Sequence, residues 1–194
     1  MPPKRFPRGA IWYTGRKHAH ERLESPRRFS PQEQLGFGIH FARSKEFAHL
    51  YGNFIYHCLL SPVNVLNIIE AHKAGSKEHQ MALEMYRGTG YRLMYWGVIP
   101  GKEWGPITSD RMKQEEAIER HATFMINPDI TTPRRAESII RKYGYDAVFY
   151  EAKFGHHAIT DGYRVGMKVT NQTDAVVILD PAKVKIVRVE EVGE

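Results

Sequence analysis

Cysteine is almost absent: Cys58 is the one thiol in 194 residues. A lone cysteine excludes an internal disulfide framework and a cysteine-rich zinc site. No run approaches the roughly 20 apolar residues that cross a bilayer, and the N-terminus has no apolar signal-peptide core. The expectation is a cytoplasmic protein without membrane contact. The zinc-protease pattern His-Glu-x-x-His and the Walker loop are both missing. Gly36-Phe37-Gly38 lacks the third glycine of a dinucleotide fingerprint and follows a polar loop, so it is no Rossmann signal. The pairs His18-Ala19-His20 and His156-His157 have no cysteine or carboxylate at ligand spacing beside them, and no metal is expected. Neither a helix-turn-helix, a finger nor an RNP signature is present.

What remains is an ordinary globular composition, 42% hydrophobic and 26% charged. The length fits one domain, with residues 1–9 as a flexible lead-in and 10–194 as the domain. The charge is unevenly placed. Residues 1–28 carry eight Lys/Arg against Glu21 and Glu24, which accounts for the whole net charge of +6. Arg16, Lys17, Arg22, Arg27 and Arg28 make this segment a candidate contact for nucleic acid or an acidic partner; the alternative is a solvated arm.

The order of elements predicts an α+β fold. Ala10–Tyr13 reads as a short strand ending at Gly15. Gly36–Ala42 is a turn entering an extended piece. Ser44 is an N-cap for a helix over Lys45–Tyr51, stopped by Gly52. Asn53–Leu60 is apolar on both faces, as a central strand is, and buries Cys58 as an inert thiol. Val65–Tyr86 reads as helical pieces broken at Gly75, Tyr91–Ile99 as helix or strand, and Ser109–Met125 as a helix. The next helix is clearer: Thr132 caps it, Pro133 opens it, Gly144 ends it, and Ala136, Ile139, Ile140 and Tyr143 form its apolar stripe. Strands follow at Asp146–Tyr150, Tyr163–Thr170, Asp174–Leu179 and Val184–Val189.

Three segments occur in a particular order: Tyr13-Thr14-Gly15, then Gly38-Ile39-His40-Phe41-Ala42 with Ala48 and Tyr51, then Asn171 to Pro181. Together they resemble the ADP-ribosyltransferase fold family, in its poly(ADP-ribose) polymerase-like and phage and bacterial toxin-like branches. Phe54–Pro62 and Tyr143-Gly144-Tyr145-Asp146 resemble further strands of that family. Val176-Val177-Ile178-Leu179-Asp180-Pro181 resembles its last hydrophobic run. The resemblance spans about residues 10–190, apart from residues 65–130. It implies a split antiparallel β-sheet core with a helical insert at 65–130.

The resemblance also implies chemistry: cleavage of NAD, used as a substrate, at the nicotinamide–ribose bond, and transfer of ADP-ribose to a protein or nucleic-acid acceptor. On that basis Tyr13, Thr14, Gly15, Arg16, His40, Phe41, Ala42 and Tyr51 are the expected NAD-binding residues. Gly15 offers backbone to the carboxamide, while His40 and Tyr51 sandwich the nicotinamide ring. Thr14 replaces the family's His or Arg, His40 its Tyr, and Ala48 a Ser that bonds the carboxamide. The family's catalytic Glu falls on Ala175 by gapless counting from Asp180. One bulge in the strand moves it to Asp174, which makes Gln172-Thr173-Asp174 resemble a Gln-x-Glu motif. Asp174, His40 and Gln172 are then the expected catalytic residues, with Asp161 and Glu151 as other acids nearby. Two alternatives to a mono-ADP-ribosyltransferase stay open: a degenerate binding or structural module of the same fold, and a basic nucleic-acid-binding protein.

Overall fold

The computed structural model describes residues 5–19, 23, 37–68, 72–73, 75–81, 84, 96–97, 105–106, 123–124, 133–160 and 163–193. They form an α+β fold around one mixed seven-stranded sheet. Five of its strands come first and last in the chain: β1 (Ile11–Arg16), β2 (Ile39–Ala42), β3 (Phe54–Leu60), β10 (Tyr163–Ile178) and β11 (Val184–Glu191). The other two are β4 (Val65–Asn67) and β9 (Ala147–Thr160). The order across the sheet is β11-β3-β1-β2-β10-β9-β4. The helices are α1 (Lys45–His49) and α2 (Pro133–Lys142).

Side chains alternate between the two sheet faces. One face carries Ala42, Val148, Tyr150, Ala175 and Val177, packed with Phe47 of α1 and with Ala136, Ile139 and Ile140 of α2. The stripe expected for α2 is thus the one that is buried, and Gly144, at φ +79°, stops the helix where L-residues are strained. The other face carries Trp12, Phe41, Tyr56, Cys58, Phe149, Val176 and Ile178. Phe6 stacks on Trp12 with ring centroids 5.3 Å apart, so the N-terminal lead-in holds one aromatic anchor on this face. As expected, β3 is an interior strand and Cys58 is fully buried. Burial pushes its thiol pKa up to about 12, far from the thiolate that makes a cysteine reactive.

Three expectations need correction. The sheet is not wholly antiparallel, because β4 runs parallel to β9, with Leu66 opposite Val148. The start of the segment read as helical is this strand. Its apolar spacing suits a helix, but a tertiary partner decides: the Asp146 carboxylate accepts from Val63 N at 2.8 Å and Asn64 N at 2.9 Å, and Asp146 N donates to Asn64 O. This three-bond clamp sets Val65 against Ala147. Replacing Asp146 with Ala is expected to cost about 2 kcal/mol in urea unfolding, since bonds to a charged acceptor are lost.

The insert 65–130 is likewise not simply helical. Its described residues include helical positions 77–81 and 84, but also the short strands β5 (His72–Lys73), β6 (Trp96–Gly97), β7 (Gly105–Pro106) and β8 (Thr123–Phe124). Thr123–Phe124 lies where the helix Ser109–Met125 was expected; the rest of that helix, most of 91–99 and the Thr132 cap lie outside the described residues. Finally, Tyr163–Thr170 and Asp174–Leu179 are not two strands. They are one strand, β10, paired with β9 along its length with register shifts near Arg164 and Val169.

Candidate functional site

β1 and β2 are neighbours in the sheet but share one bridge, Tyr13↔Ala42, whereas β1 pairs with β3 at all six residues. Beyond that bridge the two strands part. α1 packs beside the gap, and the cleft there is lined by Tyr13, Thr14, Gly15, Arg16, His40, Phe41, Ala42, Phe47, Ala48 and Tyr51. All eight residues expected to hold NAD meet in it. Alternation assigns Tyr13, Gly15, His40 and Ala42 to the α1 side of the sheet and Thr14, Arg16 and Phe41 to the Trp12 side. Both faces therefore border the gap. Its cavity volume is about 20 Å³. That is room for a water, so a larger ligand needs lining side chains to move.

The helix forms here for local reasons. Ser44 Oγ accepts from Phe47 N at 3.0 Å, an N-cap that satisfies one free donor of a five-residue helix. Ser44 N in turn donates to Thr173 Oγ1 at 3.0 Å, fastening the start of α1 to β10. Lys45 Nζ meets Glu190 of β11 at 2.5 Å, and Glu190 also bonds His57 Nε2 at 3.1 Å. The bond from Lys45 holds the Glu190 carboxyl below the usual range. His57 lies edge-on to Tyr13, ring centroids 5.0 Å apart.

Gly15 sits inside β1, opposite Ile55, rather than ending the strand. A Cβ on it would lie 1.9 Å from Ala48 O and 2.9 Å from Ala48 C. The missing side chain is therefore what lets α1 close on the sheet. Gly52 has the same role one turn on: at φ +152°, its Cβ would meet Arg16 O at 2.2 Å.

His40 is partly a core residue. Its Nδ1 lies 3.2 Å from Tyr150 Oη, and its Nε2 is sealed from water without a hydrogen-bond partner. Burial lowers its pKa from 6.5 to about 4; the Phe37 carbonyl opposes this and the Arg16 charge adds to it. His40 is thus neutral at pH 7. The unfolded chain binds the proton more readily between pH 6.5 and 4, so stability falls as pH drops through that window. The loss by pH 4 is expected to be about 3 kcal/mol, and urea unfolding of His40→Phe should lack this slope.

The expected catalytic carboxylate stands apart from these groups. β10 pairs with β9 without a break from Asn171 to Ile178, and with β2 from Ala175 to Ile178. No bulge intervenes. Thr173 and Ala175 therefore face α1, with Ala175 opposite Ala42 and fully buried. Asp174 and Gln172 face the Trp12 side, and neither lines the cleft. Asp174 is half-buried beside Glu151 of β9, and its carbonyl accepts from Arg43 N at 2.9 Å. Gln172 is exposed, opposite Lys153.

No protein-family profile, curated protein or solved structure matches this chain. Of the basic segment, Lys17 is exposed, while Arg22, Arg27 and Arg28 lie outside the described residues, as does Asp161. Among the described residues no group of three His, Cys, Asp or Glu is placed to hold a metal, and no helix is long and apolar enough to cross a membrane. Sequence reasoning missed Thr173, Phe47 and Tyr150 as parts of the site. Thr173 was legible only as the middle of Gln-x-Asp, and Tyr150 as a β-strand aromatic.

Proposed function

We propose that the protein binds NAD in the cleft between β1, β2 and α1, and acts as a mono-ADP-ribosyltransferase on a macromolecular acceptor. The observation that carries this is the convergence of Tyr13, Thr14, Gly15, Arg16, His40, Phe41, Ala42 and Tyr51, drawn from β1, β2 and the turn after α1, on one cleft. The parting of β1 from β2 is compatible with the split sheet of the ADP-ribosyltransferase fold. Aromatic walls at Tyr13, His40 and Tyr51 suit a planar nicotinamide, and the Arg16 guanidinium suits a phosphate.

In such a reaction the nicotinamide–ribose bond breaks, the bonding pair leaves with nicotinamide, and positive charge develops on the ribose. A carboxylate near that charge stabilises the transition state. Asp174 takes this role in the proposal, reached by a ligand that threads the gap to the Phe41 face. A second function is favoured by one observation: Ala175 faces the α1 side without a break in register, which leaves an apolar methyl at the family's acid position. This supports an NAD-binding module without turnover.

The test is NMR of NAD mixed with the protein, following free nicotinamide. Release that requires the cleft, lost in Tyr51→Ala, is the expected result. NAD line broadening without release by wild type selects the binding module. Neither release nor broadening removes both.

A further inference from the structure

β11 is the end strand of the sheet: β3 pairs one edge of it, and among the described residues no strand pairs the other. An end strand turns alternate N–H and C=O groups outward, a template for a further strand. Proline, inward-pointing charge or a bulge usually blunts such an edge. β11 contains no proline, and its one blunting feature is a bulge between Ile186 and Arg188. Among the described residues, Val187 and Val189 are two of the four large apolar side chains left exposed, at 53% and 44%. The charges of the strand are sorted along it: Lys185 and Arg188 come first, Glu190 and Glu191 last. An antiparallel copy of the same strand therefore meets it with the opposite charges.

The bulge sets the register. Before it, Val184 and Ile186 pack on the Trp12 face, which leaves Lys185 on the α1 face. After it, Val189 lies opposite Tyr56 on the Trp12 face, while Arg188 lies opposite His57 and Glu190 bonds that histidine on the α1 face. Two residues of a bulge share one opposite residue, so the alternation shifts by one there. The faces of two copies then match across a two-fold axis when their bulges lie opposite each other. In that register Lys185 stands opposite Glu190 of the second copy on the α1 face, and Ile186 opposite its Val189 on the Trp12 face, each pair occurring twice. Glu190 is already positioned by Lys45 and His57, and a carboxylate, with about four acceptor sites, keeps capacity for Lys185. We infer that β11 is a self-association edge: two copies pair antiparallel through it, about an axis at Val187–Arg188, and join their sheets into one.

The test is sedimentation velocity of the full chain from about 1 µM to about 1 mM, a range that brackets the weak Kd expected of a single strand pair. Wild type should pass from monomer to dimer. Lys185→Glu turns two attractions into repulsions and should weaken the dimer by at least about 10-fold, and Val189→Lys should do the same. Both side chains are exposed, so the urea midpoint should stay where it is. Oxidation reads the register, because Cys58 is buried and its thiol unreactive. Arg188→Cys lies beside the axis and should form a disulfide-linked dimer. Glu191→Cys should not, since its two copies lie about 20 Å apart in this register, beyond the reach of a disulfide. A wild type that stays monomeric to about 1 mM overturns the inference. So does a dimer indifferent to either charge substitution, or one that Glu191→Cys links as readily as Arg188→Cys, since the contact is then elsewhere. If a substitution shifts the urea midpoint, the two cross-links decide.

Discussion

Gly15→Ala is expected to destabilise the protein by at least about 3 kcal/mol and to abolish NAD binding at any temperature where the chain stays folded. The added Cβ would lie 1.9 Å from the Ala48 carbonyl oxygen, which is backbone and cannot rotate away. Either β1 or α1 must shift. Overpacking in a close-packed interior costs about 1–3 kcal/mol when side chains can yield, and more when they cannot. The shift would also move Ala48 and Tyr51, which line the cleft with Gly15 itself. Gly193→Ala is the matched control, with no atom within 4 Å of the added carbon, and it should stay within about 0.5 kcal/mol of wild type. Urea unfolding of the two variants checks the stability contrast, and NAD line broadening checks the cleft. Equal stability would mean that α1 does not close on β1 as described.

Asp174→Ala is expected to lower nicotinamide release by at least about 100-fold, the scale seen when an enzyme loses one group that stabilises charge in the transition state. Asp174→Asn should lose as much, because it keeps the shape and removes the charge. NAD affinity should change little in either variant, since the carboxylate acts on charge that develops only in the transition state. A loss of binding along with release would mark a structural role. Undiminished release would assign the acid to another residue. No release by wild type, with NAD bound, would give Ala175 its meaning: the strand carries the fold's geometry without its chemistry. These outcomes are separable because binding and bond cleavage are read in the same NMR tube.

The elements that carry the candidate site were more legible than the middle of the chain, for a physical reason, while the site residues themselves were expected from the family resemblance. Tyr13–Arg16, His40–Ala42 and Tyr51 belong to short elements whose ends are marked locally, by the Ser44 cap, by Gly38 at φ +67° and by Gly52. α2 was legible in the same way, from Pro133, Gly144 and the spacing of Ala136, Ile139 and Ile140. Val65–Asn67 was not. Its apolar spacing is compatible with a helix, and only the Asp146 clamp and the parallel edge of β9 select a strand.

By itself the sequence determined the α+β class, the alternating apolar faces of β3 and the buried thiol of Cys58, because each depends on local periodicity or a nearby cap; the residues expected at the cleft came from the family resemblance. Only the tertiary structure decided which way Asp174 points, what Gly15 makes room for and what holds His40. A strand turns every second residue to the opposite face, so the direction of Asp174 hangs on whether one residue bulges, and the pairing with β9 and β2 has no bulge there. Gly15 meets Ala48, and His40 meets Tyr150 across a separation of 110 positions, where no local pattern in the chain connects them.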